Sequence, residues 1–258
     1  MTIARTVPAP RPTADPPERR WPLTGGLLVA SAVLAAVGAV VLGAAFGWPA
    51  VLDEPGTVAL PLFAEAETAV RVGFVLELVS SLLLVPAAFG LAVALGRDTA
   101  AVRALTTFGV AGALFQMLGW VRWPIAVPGL SERFADPAAS EAERAATAAS
   151  YDVLNAYAGG AVGEHLGWLM QAPWAIAIGV LAMAAAGLPR WFGVVGVVSA
   201  ALWAVLIVPE PYVEALGSDG VATVAFGVYT VWFVWLAALG ALVGVRSVAP
   251  ARRAAASI

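Results

Sequence analysis

Seven polar side chains in otherwise apolar parts of the chain are the residues best able to do chemistry. They are Glu77, Gln116, Arg122, Glu164, His165, Gln171 and Tyr229. A charged side chain inside a membrane is costly unless it finds a partner, so residues of this kind mark binding or catalytic sites by default. Together the seven offer carboxylates, amides, a guanidinium, an imidazole and a phenol, which suit polar recognition or proton transfer.

Helical spacing decides which of these side chains face the same way. Glu164 and Gln171 are seven residues apart and share one helical face, whereas His165 points about 100° away from Glu164. Glu164 and His165 therefore cannot easily hold one small ion together. Gly159 and Gly163, at four-residue spacing, let a neighbouring helix approach closely, so we expect Glu164 to face protein rather than lipid.

We predict from these positions a polar cavity in the outer half of a membrane-embedded bundle, lined by all seven residues. A purely structural alternative stays open, in which Glu77 or Glu164 pairs with Arg122 and only locks helices together. Arg122 can also reach the membrane interface with its long side chain. His165 can be a hydrogen-bonded packing residue rather than a ligand or catalyst.

Composition excludes several classes of site. The chain has no cysteine, which excludes disulfides, thiolate metal sites and a cysteine nucleophile. With a single histidine, a zinc site built from Glu77, Glu164, His165 and Asp152 would be a poor one, so we expect no metal and no cofactor. A net charge of −3 and the absence of a phosphate-binding glycine loop argue against nucleic acid and nucleotide partners.

Six long apolar stretches must position these residues. They cover 22–46, 71–95, 103–127, 160–186, 190–208 and 221–245. A helix of about 20 residues crosses a hydrocarbon core of about 30 Å. The chain is 61% hydrophobic and 12% charged, and a soluble domain carries about 25% charge. The sequence predicts an all-α, polytopic transmembrane bundle of six spanning helices, with one membrane domain over 21–246.

The distribution of arginine predicts the orientation of the bundle. Arginines concentrate in the N-terminal tail 1–20, in the second and fourth loops, and in the C-terminal tail 247–258. The first and fifth loops are mainly acidic. Because positively charged loops stay cytoplasmic, we predict both termini inside the cell, with the Pro- and Arg-rich N-terminal tail disordered.

The third loop is the longest and carries a helical pattern of its own. Asp136-Pro137 reads as a helix start, and the Ala-rich segment 137–158 follows it up to Gly159-Gly160, where we expect a break. This extracytoplasmic helix either lies across the outer surface as a lid or extends the fourth spanning helix.

Three segments together resemble the domain of unknown function 4386 family. They are QMLGWVRWP at 116–124, NAYAGGAVGEHLG at 155–167 and LPRWFG at 188–193. Members of that family are bacterial multispanning membrane proteins without an assigned activity. The resemblance implies a bundle of six or seven helices in the bacterial plasma membrane, and it carries over no catalytic residue.

The function that the sequence favours is non-enzymatic binding, sensing or transport of a small molecule through the polar pocket. One alternative is an intramembrane enzyme acting on a lipid or isoprenoid, with Glu164 and His165 as acid–base groups. Another is a structural subunit of a membrane complex. The expected partners are the lipid bilayer and a small-molecule or lipid ligand.

Overall fold

The computed structural model describes residues 19–96, 99–207 and 221–248, and in these ranges it is a bundle of helices without a β-sheet. The predicted tails lie almost entirely outside the described residues, as does the segment 208–220. The described ends of the chain meet: Arg19 and Val248 exchange two backbone hydrogen bonds of 3.0 Å. The predicted helical bundle is therefore confirmed, whereas the orientation of the termini stays a prediction.

In the described ranges the fold consists of nine α-helices, one 3₁₀ turn and one π-helical segment. The α-helices are α1 Pro22–Phe46, α2 Gly56–Leu95, α3 Ala100–Trp120, α4 Arg122–Ile125, α5 Val127–Ala135, α6 Glu141–Leu154, α7 Gly167–Ala184, α8 Arg190–Ile207 and α9 Val221–Val245. The 3₁₀ turn is Ala50–Asp53, and the π segment Asn155–Leu166 joins α6 to α7. Glycine ends α1, since Gly47 has a φ of +70°, a conformation that residues with a Cβ rarely adopt.

Helix α2 begins fifteen residues before the predicted stretch 71–95, at Gly56. The backbone N–H of Gly56 donates a 2.7 Å hydrogen bond to the Asp152 carboxylate, which satisfies one of the free donors at the helix start. The helix bends at Ala66, where φ and ψ are not helical. Forty residues of helix are about 60 Å long, twice the thickness of a hydrocarbon core. The first turns of α2 therefore extend beyond the apolar layer.

The predicted helix 103–127 lies within the helical stretch Ala100–Ala135, which turns at Val121 and Ala126 divide into α3, α4 and α5. Pro124 and Pro128 have no backbone N–H to donate, and two short helices, α4 and α5, follow instead of one continuous helix. This irregular backbone turns Trp123 inward, where it is completely buried.

The third loop extends the fourth spanning helix. Helix α6, the π segment and α7 form one continuous helical stretch from Glu141 to Ala184, so the break expected at Gly159-Gly160 does not occur. The segment 137–158 was expected either to form a lid or to extend the fourth spanning helix, and in the structure it extends that helix. Ser140 starts α6 with a reciprocal capping box to Glu143.

The helices enclose two separate hydrophobic clusters. The larger one lies within the bundle around Trp174, Trp203 and Trp232. The smaller one lies in what we call the cap: the 3₁₀ turn, the first turns of α2, and helices α4 to α6. Trp123 is at its centre, stacked on Phe74 with ring centroids 4.6 Å apart.

Five helical stretches of the described residues have the length and apolar composition to cross a membrane. They are Pro22–Phe46, Gly56–Leu95, Ala100–Ala135, Glu141–Ala184 and Gly227–Val245. The described part of α8 is apolar too, but it is shorter. A multi-pass membrane protein follows, and the sixth span stays a prediction.

Candidate functional site

A cavity of about 180 Å³ lies between α1, α2, α3, α7 and α9, and we call it the inner cavity. Its wall is mainly apolar, with small alanines on α1 opposite aromatic rings. Its polar lining residues are Glu77, Ser80, Ser81, Gln116, Tyr229 and Thr230. Three of the residues predicted from the sequence, Glu77, Gln116 and Tyr229, thus line one cavity.

Glu77 is the charged residue of the inner cavity. It lies on α2 and is 8% exposed. Its carboxylate rests against Gly38 of α1, where a Cβ would come within 2.8 Å of Oε1. Glycine at position 38 therefore leaves the space that the carboxylate occupies. In the part of the chain that the structure describes, this carboxylate has no hydrogen bond and no ion pair.

A chain of polar side chains forms the side of the cavity opposite α1. Gln116 Nε2 on α3 donates a 2.9 Å hydrogen bond to Gln171 Oε1 on α7. The Tyr229 hydroxyl on α9 lies 3.5 Å from the same oxygen and interacts electrostatically with Glu77. Four of the seven predicted residues are therefore brought together, from four different helices.

Close packing of small residues fixes the helices around the cavity. The Ser31 hydroxyl donates to the Ser80 carbonyl at 3.0 Å, and the Ser80 hydroxyl donates back to the Ser31 carbonyl at 2.9 Å. A Cβ at Gly25 would overlap the backbone of α9 at Gly240 and Gly244. Helices α1 and α9 therefore touch near the described termini, and the cavity lies further along both helices.

The inner cavity reaches the side of the bundle between α1 and α9. Ala36, Thr230 and Val234 line it and are also exposed on the outer surface. All three lie in the middle part of helices that are long and apolar enough to span a membrane. From helix length and composition alone, we expect this opening to face the hydrocarbon core rather than a membrane surface.

A second, wider hollow of about 450 Å³ lies between the cap and the π segment, and we call it the outer hollow. Arg122 lines it and is only 4% exposed. Its guanidinium donates to the Gly119 carbonyl at 2.7 Å and to Asn155 Oδ1 at 2.9 Å, and Asn155 Nδ2 donates to the Leu52 carbonyl at 2.7 Å. Arg122 therefore joins α3 to the π segment, and Asn155 joins the π segment to the 3₁₀ turn. Arg122 has no hydrogen bond or ion pair with Glu77 among the described residues.

Glu164 and His165 are not in the inner cavity. Glu164 lines the outer hollow with three other acidic residues, Asp53, Glu54 and Asp152, and interacts electrostatically with Arg122. His165 lines neither cavity. The seven residues predicted to share one pocket are consequently divided: Glu77, Gln116, Gln171 and Tyr229 gather in the bundle, whereas Arg122 and Glu164 lie at the cap.

Several residues of both sites were not found from the sequence. The aromatic rings of Trp48, Trp120, Trp168 and Phe233 line the inner cavity. Trp48 and Trp120 have the positions expected of membrane-interface anchors. Their spacing does not distinguish an interface anchor from a residue that lines a cavity. Asn155 bridges Arg122 and Leu52, and nothing in the sequence around it indicates that role. Among the described residues no cluster of His, Asp and Glu is arranged to hold a metal ion.

Comparison with known proteins places the chain in a family. The domain of unknown function 4386 family matches residues 23–240, which is most of the chain. The protein belongs to that family, and the resemblance seen in its three sequence segments is confirmed. No curated protein and no solved structure matches the chain.

Proposed function

We propose that this member of the domain of unknown function 4386 family binds a small molecule in the inner cavity and does not transform it. The observation that carries the proposal is the Glu77 carboxylate, which is more than nine-tenths buried, faces an apolar cavity and has no hydrogen bond or ion pair among the described residues. Burial of an unpartnered carboxylate costs free energy, and a ligand that binds it would recover that cost.

The make-up of the cavity favours binding over catalysis. Acid–base catalysis commonly uses a second titratable group within reach of the first. Of the other polar residues that line the cavity, Tyr229 is titratable, but its hydroxyl is directed at Gln171 Oε1. The remaining polar groups are an amide and aliphatic hydroxyls, and the amides of Gln116 and Gln171 bind each other. An enzymatic role for Glu164 and His165 gains no support from this cavity, since neither residue lines it.

Helix geometry favours binding or sensing over transport. Transporter sites at the membrane midplane are typically built from broken helices. The segments of α1, α3 and α9 that line the inner cavity are continuous α-helix, and the bend of α2 at Ala66 lies three turns before Glu77. Along these segments the cavity therefore lacks the broken helices that are typical of transporter sites.

Filling the cavity tests the proposal. Ala35 lines it, whereas Ala44 is exposed on the same helix and does not. We expect small molecules extracted from the purified wild type and the Ala44→Phe control, and identified by mass spectrometry, to include one compound that Ala35→Phe lacks. Identical extracts from all three proteins would contradict the proposal.

A further inference from the structure

The inner cavity combines one carboxylate with a wall of aromatic rings. Besides Glu77 it is lined by Trp48, Trp120, Trp168, Tyr229 and Phe233. The faces of aromatic rings carry partial negative charge and attract cations, and recognition of quaternary ammonium groups is a common use of such rings. An acidic group among aromatic rings is therefore complementary to an organic cation.

The protein supplies no cation of its own to this carboxylate in the described residues. Arg122 is bound to Gly119 and Asn155 at the outer hollow. Arg71 is on the same helix as Glu77, but it is exposed and forms a 2.9 Å ion pair with Glu67. To be ionised, Glu77 needs a positive charge from elsewhere, because a buried carboxylate is stable only when it is paired or neutral.

The position of the opening indicates the route by which an organic cation would enter the inner cavity. The inner cavity reaches the surface between α1 and α9, at Ala36, Thr230 and Val234, where the bundle faces the hydrocarbon core. A small hydrophilic ion would have to cross that layer to enter. A cation with apolar substituents already partitions into the membrane and reaches the opening by lateral diffusion.

We infer that the ligand of the inner cavity is a lipophilic organic cation that enters from the bilayer between α1 and α9. The inference rests on the proposed binding function and adds the chemical class of the ligand and its route. Size limits the ligand further: an apolar cavity of about 150 Å³ holds one benzene molecule, and the inner cavity measures about 180 Å³. It fits one aromatic ring, with the charged group beside Glu77.

A pair of probes that differ only in charge tests the ligand class. Benzyltrimethylammonium and neopentylbenzene have the same shape, with nitrogen in one and carbon in the other. Calorimetric titration of the full chain in detergent should show tighter binding of the cation. Glu77→Gln should weaken cation binding at least tenfold without changing binding of the neutral probe. The matched control Glu67→Gln removes an exposed carboxylate from the same helix and should change neither.

The outcomes separate the ligand class from the proposed function. If the neutral probe binds the wild type as tightly as the cation, and Glu77→Gln changes neither, the cationic class is refuted while the cavity still binds a ligand. If neither probe binds, the inference is also refuted, and the proposed function is then decided by the extraction comparison of wild type, Ala35→Phe and Ala44→Phe.

The route of entry has its own test, which uses the absence of native cysteine. Thr230→Cys, at the opening, and Val231→Cys, exposed next to it but outside the cavity lining, are each labelled with a bulky maleimide in nanodiscs. Labelling at position 230 should slow association of benzyltrimethylammonium several-fold, and labelling at 231 should leave it unchanged. Equal association rates for the two labelled proteins would refute lateral entry.

Discussion

Asn155 shows how one side chain holds the cap to the bundle. Its amide accepts a hydrogen bond from Arg122 and donates one to the Leu52 carbonyl, so each end of the side chain has a partner. We expect Asn155→Ala to lower the free energy of unfolding by about 1–3 kcal/mol, because it leaves buried polar groups without partners. Denaturant unfolding of the purified protein measures this change.

Asn155→Asp is the matched variant for this prediction. It keeps the oxygen that Arg122 binds, and it loses the N–H group that the Leu52 carbonyl accepts. Its stability should therefore lie between those of the wild type and Asn155→Ala. If Asn155→Ala unfolds at the same denaturant concentration as the wild type, the bridge contributes nothing to stability.

At the level of single residues, the sequence identified the polar side chains but not their grouping. Glu77, Gln116 and Gln171 stand out because amides and carboxylates are rare in apolar stretches. Arg122 is six residues from Gln116, so the two lie on different faces even of a regular helix. The sequence did not indicate that Arg122 binds Asn155 of the π segment, which separates it from the inner cavity.

At the level of elements, the π segment is where sequence reasoning failed most clearly. Gly159-Gly160 is a strong helix-breaking signal, yet helix continues through it. A π-helix has a wider turn than an α-helix and is frequent at functional sites. Here it brings the backbone of Gly159 against the Arg122 guanidinium and that of Gly163 against Gly119 on α3. Tertiary contacts thus override the local preference of glycine.

The two adjacent glycines of this segment predict opposite effects of the same substitution. A Cβ at Gly159 would overlap the Arg122 guanidinium, whereas one at Gly160 would meet nothing within 4 Å. Gly159→Ala should destabilise the protein by about 1–3 kcal/mol through overpacking. Gly160→Ala should leave stability unchanged or raise it by about 0.5–1 kcal/mol, because alanine has less conformational entropy to lose.

Thermal unfolding in detergent compares the two variants directly. The midpoint should fall for Gly159→Ala and hold or rise for Gly160→Ala. Equal midpoints would mean that the close packing between the π segment and Arg122 does not contribute to stability.

At the level of the whole molecule, the two hydrophobic clusters divide the protein into a membrane bundle and a cap. The apolar stretches predicted the bundle because length and hydropathy alone suffice for spanning helices. The cap was predicted only in part: the Ala-rich segment 137–158 covers α6, whereas α4, α5 and the packing of the cap around Trp123 were not foreseen. Phe46 and Phe63 also contact that ring.

Removal of this ring should therefore affect the cap more than the bundle. Trp123→Ala deletes a completely buried side chain, a change that costs about 3–5 kcal/mol. Hydrogen exchange should increase in α5 and α6 and stay slow in α7 and α9, which pack in the other cluster. The opposite pattern, or uniform exchange in all four helices, would show that cap and bundle unfold as one unit.

The cap also makes the orientation of the molecule testable. The arginine distribution predicts that the termini are in the cytoplasm and therefore that the cap is outside the cell. Ala138 is exposed in the cap, and Ser247 is exposed at the other end of the bundle, beside the described termini. In the otherwise cysteine-free chain, we expect a membrane-impermeant maleimide to label Ala138→Cys in intact cells and Ser247→Cys only after permeabilisation. The reverse pattern would put the outer hollow, with its acidic residues around Arg122, in the cytoplasm.

The lateral opening proposed for the inner cavity would be unaffected by this result, because the opening would face the hydrocarbon core in either orientation.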